Sequence, residues 1–501
     1  MNLSRRNFLK AAAVSAAAFS LDARTWSRAA GANSDIRVAQ IGFRSQGNGH
    51  IGTLKKMKGV RLVALCDVDK HVLNAKAQEL GNGIQTYTDI RKLLENKEVD
   101  AVSIAVPNHW HALATIWACQ AGKDVYVEKP ASHNLFEGRK MVDAARKYKR
   151  IVQCGTQCRS SVGLQEAVDY VRSGKLGKIK LARGFCYKGR QSIGLVDGPQ
   201  PVPDYIDYDI WCGPAKVEPP RRNGKFGTVH YDWHWFWNYG NGDYGNQGPH
   251  QVDICRWFLG EEEIAPFSLA IGGRLGYNDS AETPNTLIVY HGYQNPMLFE
   301  VRGLPVDKAS QADGWKSDKY RGVSIGCVIE CEGGYVVVPS YTEAIIQDKE
   351  GKEITRFDGD KKGKGKDAST PTGLTGESPG HHGNWIDCIR SRNYKKLHAE
   401  ILEGHLSAGL VHTGNISYRL GACKAPGAIK ESLADNKNMG EAFDRMAAHL
   451  DANGVDITKD NVQMGIPLKF DPKKEAFMDN SEANTMRTRN YRAPFIVPDK
   501  V

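Results

Sequence analysis

The chain has 501 residues, with 67 Lys+Arg against 57 Asp+Glu for a formal net charge of +10. Hydrophobic residues are 41% and charged residues 25%, which excludes a disordered chain, a fibrous repeat and a polytopic membrane protein and leaves room for two or three domains. The charge is spread over both halves, partly in Lys-Gly loops such as 361–366, with no basic stripe, zinc finger or RNA-binding signature, so nucleic acid is not an expected partner.

Ser4-Arg5-Arg6-Asn7-Phe8-Leu9-Lys10 reads as a twin-arginine export signal, followed by an apolar run from Ala11 to Leu21 and a small-residue cleavage site at Ala30-Gly31-Ala32. The run is shorter than the about 20 apolar residues that span a bilayer. Residues 1–32 are expected to be a signal peptide and the mature protein to be periplasmic or otherwise exported by the twin-arginine machinery, already folded around its cofactor. Eleven cysteines cannot all pair. Cys66, Cys119, Cys154, Cys255 and Cys388 fall in apolar segments, and neither Cys154 with Cys158 nor Cys327 with Cys331 has zinc-site spacing, so buried free thiols and no metal are expected.

Residues 35–157 alternate apolar runs (Arg37–Ile41, Val60–Cys66, Ala101–Val106, Asp124–Val127, Ile151–Cys154) with amphipathic helices (Ile90–Glu95, His109–Ala121, Leu135–Lys147). This predicts a doubly wound parallel sheet of the Rossmann type. The first strand ends in Gly42-Phe43-Arg44-Ser45-Gln46-Gly47, a G-x-G-x-x-G turn with Arg44 at the second glycine. Gly42 permits the turn, Gly47 lets helix and strand approach, and the helix N-terminus faces a pyrophosphate. Arg44 either crowds the phosphates or contacts them. Asp67 ends the second strand 20 residues after Gly47, the spacing of an acid on the adenosine ribose, which favours NAD; Arg44 keeps NADP possible. Helix capping is the alternative role for Asp67.

Residues 158–420 read as a second, α+β domain with an open, mainly antiparallel sheet. Its predicted strands are Ile179–Phe185, Thr286–His291, Met297–Val301, Gly326–Glu332, Tyr335–Pro339 and Ala344–Asp348, with a hairpin turn at Cys331–Tyr335. Arg159 follows the sixth strand of the first domain and either hydrogen-bonds a substrate or sits on the surface. Tyr231, Trp233, Trp235, Trp237 and Tyr239 alternate with polar residues; as a strand they would present one aromatic face, for sugar stacking at the mouth of the site or for core packing. Asn246 to Asp253 opens a helix that carries His250 and reaches Leu259. Helices over Asn384–Ser391 and His398–Leu420 are expected to brace the two domains, after a flexible Lys-Gly segment at 358–378. Residues 421–501 show little hydrophobic periodicity and are expected to wrap a neighbouring surface or another subunit.

Two further motifs, Ala105-Val106-Pro107-Asn108-His109-Trp110-His111 and Val127-Glu128-Lys129-Pro130, together with the glycine turn and Asp67, resemble the glucose-fructose oxidoreductase / inositol dehydrogenase / MocA family over almost the whole nucleotide domain. The resemblance implies that Pro107, Asn108 and His111 line the nicotinamide side of the cofactor. Glu128 would contact the nicotinamide ribose, and Lys129 would stand beside the reacting carbon. It also implies that His250 is the acid/base, with Asn246 where the family carries a supporting aspartate; asparagine can hold a sugar hydroxyl but cannot stabilise an imidazolium by charge. A lysine at a strand end can polarise a substrate hydroxyl once the site lowers its pKa, and Pro130 fits the first position of the next helix. The expected function is an exported NAD-dependent oxidoreductase acting on a sugar, sugar derivative or cyclitol. Export leaves no soluble NAD pool, so the cofactor would be held and recycled in place. The alternatives are a glycosidase acting by transient oxidation and elimination, a branch without the lysine of Glu-Lys-Pro, and a non-catalytic sugar-binding protein. A homo-oligomer is expected from the exposed edge of the second sheet.

Overall fold

The computed structural model describes residues 35–221, 227–359, 380–459 and 462–501. The signal peptide and nearly all of the Lys-Gly segment lie outside them. In the first domain, β1 (Ile36–Ile41), β2 (Val60–Cys66), β3 (Gln85–Tyr87), β4 (Ala101–Ile104), β5 (Asp124–Val127) and β6 (Val152–Cys154) form one sheet in the order β3-β2-β1-β4-β5-β6. Every pairing is parallel. β4, β5 and β6 are buried at every residue, as the apolar runs require when helices cover both faces. The order reverses between β1 and β4, and a ligand crevice opens beyond the carboxyl ends of these two strands. The short β3 and the helix Lys70–Leu80 were not anticipated; that helix buries only Leu73 and is fixed by its Asp69 cap, whose side chain accepts from the His71 and Val72 amides.

The second domain is built on β7 (Ile179–Tyr187), β8 (Phe267–Gly273), β9 (Thr286–His291), β10 (Met297–Arg302), β11 (Ile325–Cys331), β12 (Gly334–Val338), β13 (Glu343–Gln347) and β14 (Glu353–Asp358). They run in the order β14-β13-β12-β11-β7-β10-β9-β8, antiparallel throughout except β7 with β10. The helices Gly248–Leu259 and Ile401–Arg419 cover one face, and the long helix also packs on Leu135–Lys147 and β6, so it ties the two domains together.

One expectation fails here and another resolves. The C-terminal region takes the first of its two alternatives and wraps a neighbouring surface of its own chain, covering the sheet. Met439, Phe443, Met446 and Leu450, on one face of the helix Lys437–Ala452, pack against Ile271, Ile288 and Leu298, while Phe495 and Val497 are buried against the first domain beside Trp110. The 231–239 segment is not a strand. It follows a short helix ending at His230 and forms a 3-10 turn over Asp232–Trp235 and then an irregular loop. Its rings pack on one another, with Trp233 stacked on His234 at 3.6 Å, so the core-packing alternative holds for Trp233, Trp235 and Tyr239. All eleven cysteines are free and only Cys423 is exposed.

Candidate active site

The glycine turn is shaped by close approach. Gly42 has φ +71°, and a Cβ there would come 2.5 Å from the Ala105 carbonyl oxygen; one on Gly47 would come 2.0 Å from the Gly42 oxygen. Both neighbours are backbone and cannot yield, so the turn admits glycine only. The helix Gln46–Leu54 starts here, and Ser45 makes no side-chain cap; the Asn48 amide bonds the Ser45 carbonyl oxygen, leaving the Gln46 and Gly47 amides open to a ligand anion. Asp67 closes the turn from β2, accepting from the Phe43 amide (3.2 Å) and the Asp69 amide (3.0 Å). Burial lifts its carboxyl to about 6 against those two bonds. Arg44 is exposed and makes no hydrogen bond among the described residues.

After β4, Pro107 precedes the helix Asn108–Gln120. Asn108 Nδ2 donates to Asn241 Oδ1 (3.1 Å). The His111 ring lies between the carbonyl oxygens of Pro130 (2.6 Å) and Val106 (2.8 Å), tying the loops beyond β4 and β5 together. Both side chains are thus engaged with protein. Glu128 pairs with His50 Nε2 at 3.0 Å, and the other His50 nitrogen meets Ser103 Oγ. Burial alone would raise the Glu128 carboxyl; the His50 bond and the Lys129 charge outweigh it and pull it to about 2. Lys129 Nζ donates to the Asn246 carbonyl oxygen at 2.7 Å. Burial lowers its pKa, Glu128 opposes this, and Lys188 and Arg190 push it further down. Pro130 does not start a helix as expected: the Lys129–Pro130 peptide is cis, and the next helix begins at Leu135 behind the Asn134 cap.

His250 sits in the first turn of the helix Gly248–Leu259, its ring 4.9 Å from Tyr341. Its Nδ1 is buried without a hydrogen-bond partner among the described residues. Burial and then the Lys129 charge push the imidazole down to about 3, so it is neutral at physiological pH, in keeping with asparagine rather than aspartate at 246. Arg190 is locked on Asp243 (2.9 Å) and the Tyr231 hydroxyl (2.8 Å), while Lys188 makes no hydrogen bond among the described residues.

Arg159 is neither at the surface nor free for a substrate. It is buried and bonded to Asp253 (2.7 Å) and Glu403 (3.0 Å), because the helix Ile401–Arg419 passes over it. Trp235 carries Arg190 over its ring at 5.1 Å, and Trp237 lines a different cleft from Lys129. His50, Lys188 and the Arg190–Asp243 pair are additions that the sequence reading missed. Only His50 left a signal, as a polar residue on the buried face of the helix after the glycine turn.

Comparison with known proteins bears on this site. Residues 36–156 match the model described as "Oxidoreductase family, NAD-binding Rossmann fold", and residues 171–324 match "Oxidoreductase family, C-terminal alpha/beta domain". The chain belongs to the Gfo/Idh/MocA oxidoreductase family. Residues 2–21 match a twin-arginine translocation signal. Inositol 2-dehydrogenase of Salmonella typhimurium is 25% identical over 177 residues, 35% of this chain and 52% of that protein. A glycosyl hydrolase family 109 protein of Shewanella pealeana is 29% identical over 209 residues, 36% and 45%. The chain thus spans about half the length of the curated relatives it matches. Among solved structures, the WlbA dehydrogenase from Bordetella pertussis in complex with NADH and UDP-GlcNAcA superposes with TM-score 0.53 at 19% identity, over 75% of this chain and 94% of that one. This likeness establishes the shared two-domain fold.

Proposed function

We propose that the mature protein is an exported, NAD-dependent dehydrogenase of a sugar, sugar derivative or cyclitol, working with a nucleotide retained in the glycine-turn crevice. The observation that carries this reading is the convergence of Lys129 Nζ on the Asn246 carbonyl, one turn ahead of His250.

The crevice suits the cofactor: Gly42 and Gly47 have no room for a side chain, the Gln46 and Gly47 amides are open, and Asp67 would meet a ribose diol. Bound NAD would supply the hydride acceptor. Glu128, ionised and oriented by His50, would receive the second ribose, with Pro107, Asn108 and His111 shaping the loops beneath it. At the substrate, Lys129 is the group suited to proton transfer: burial lowers its pKa, so its neutral form can take up a hydroxyl proton, while His250 is too weak a base to hold one. The hydroxyl proton therefore goes to Lys129, and His250 Nδ1 orients that hydroxyl by hydrogen bonding. The Asn246 side chain would hold a neighbouring hydroxyl. A nucleotide retained in the crevice would have to be reoxidised there, so net turnover would require a second substrate able to accept a hydride.

The relatives named as glycosyl hydrolases support a second reading, in which the oxidation is transient and a glycosidic bond is eliminated before the hydride returns. One experiment separates the two. The exported protein, purified without added cofactor, is denatured and the released nucleotide identified by mass. Fresh protein is then given a sugar panel and nitrophenyl glycosides. Stoichiometric NAD and one burst of reduction with a free sugar support the dehydrogenase. Nitrophenol release without added NAD supports the glycosidase. Protein that neither carries nor binds nucleotide refutes both.

A further inference from the structure

A second cleft lies away from Lys129. The loop around Trp237–Asn241, the end of the helix Ile401–Arg419 and residues 485–489 enclose about 290 Å³, with His133 and Asn134 completing the wall. That is close to the about 300 Å³ at which small-molecule sites begin. Lys129, Asn246, His250 and Asp67 take no part in it.

Its charge is one-sided. Arg419 lies over the Trp237 ring at 5.1 Å and makes no hydrogen bond or ion pair among the described residues. Arg489 donates to the Asn238 carbonyl oxygen (2.9 Å) and to His133 Nδ1 (3.3 Å) and also meets no carboxylate within ion-pair distance among the described residues. The acids whose charge reaches them, Glu282, Glu137 and Glu218, are already committed, Glu218 to Lys216 at 3.5 Å. Glu282 is bound by Arg221 and the Trp237 amide. Glu137 is bonded to the His133 amide and to Tyr491, and burial lifts its carboxyl to about 7.

The remaining polar groups complement those cations. A guanidinium only donates, so His133 Nδ1 accepts and the neutral ring carries its proton on Nε2. That Nε2 and Asn415 Oδ1 are both buried without a partner among the described residues, a costly state in the absence of a ligand or water. Two cations call for an anion, whereas an indole wall beside the Asn134, Asn238, Asn241 and Asn415 amides suits a ring bearing hydroxyls.

We propose that this cleft is a second ligand site, separate from the dehydrogenase centre, that takes a sugar bearing an oxyanion, a sugar carboxylate or a sugar phosphate, with the anion between Arg419 and Arg489. The C-terminal region then has a function beyond covering the sheet: it supplies Arg489 and so completes the site.

The test is calorimetric titration of the full mature protein with glucuronate, glucose 6-phosphate and glucose. The expected result is saturable binding of at least one of the two acids, with glucose silent and with affinity falling as salt rises; which acid binds tells carboxylate from phosphate. Arg419→Gln should weaken that binding at least tenfold while leaving the denaturation midpoint and the nucleotide content essentially unchanged, because Arg419 makes no hydrogen bond or ion pair among the described residues and its contact with the Trp237 ring is a weak one at an exposed site. Arg489→Gln should weaken it as well, with its midpoint recorded because Arg489 also braces Asn238. No binding of either acid at millimolar concentration overturns the proposal. So does binding that Arg419→Gln leaves intact, which places the acid in the Lys129 site instead.

Discussion

The two clefts handle positive charge in opposite ways. Around Lys129 each tightly held cation has a compensating oxygen: Lys129 has the Asn246 carbonyl, Arg190 has Asp243, and Arg159 has Asp253 and Glu403. Around Trp237, Arg419 and Arg489 have no carboxylate of their own among the described residues. A compensated cation keeps its geometry, and in a water-poor site its pKa can be set for moving a proton. An uncompensated pair creates a field that only a ligand can neutralise. The contrast separates a centre for chemistry from a centre for binding, on one chain and within one set of packed helices.

The strongest way to break that distinction is Lys129→Ala. Removing a group that transfers the proton costs about a hundredfold or more in rate, so the reduction burst with the responsive sugar should fall by at least that factor while bound NAD is retained. A variant that keeps wild-type burst kinetics would show Lys129 to be another static cation, no different in kind from Arg419.

A smaller effect is expected at Asp253. Asp253→Asn leaves Arg159 buried with only Glu403 and weakens the Ser407 bond. Breaking a buried ion pair from one side costs about 3 kcal/mol, which should appear as a lower denaturation midpoint in urea. Arg419→Gln is the matched control, and its midpoint should not move. Equal shifts in the two variants would mean that the two arginines are held alike and the comparison is void.

The contrast explains what the sequence could disclose. The parallel sheet was legible because strands buried on both faces are continuous apolar runs, and the glycine turn, Asp67 and Glu-Lys-Pro are local patterns that carry their own spacing. The state of Arg159 was not legible: Asp253 lies 94 residues away, and a compensating carboxylate at that distance leaves no mark on the sequence near the arginine. The aromatic run at 231–239 misled because alternation also fits a 3-10 turn whose rings pack on one another, Trp233 stacked on His234. The C-terminal helix is a different case. Met439, Phe443, Met446 and Leu450 stand at helical spacing, and the pattern was diluted by the loops around it. The strands Phe267–Gly273 and Glu353–Asp358 went unseen for lack of contrast, the first with two glycines and the second a polar edge.

Arg44 gives the smallest expected effect and the sharpest limit on the comparison. It stands in the phosphate turn, exposed, with no hydrogen bond among the described residues, and its charge acts on Asp67. By the logic of the two clefts it is an uncompensated cation and should interact with ligand charge rather than shape the fold. An exposed charge contact is worth about 1 kcal/mol at most, so Arg44→Ala should weaken NAD by no more than about fivefold. NADP should lose more than NAD, because Arg44 is the cation beside the Asp67 carboxylate that a 2′-phosphate would have to approach. Fluorescence titration of both nucleotides into stripped protein measures the ratio. If NAD binding collapses instead, the guanidinium clamps the pyrophosphate directly, and the missing second glycine has been replaced by a working ligand.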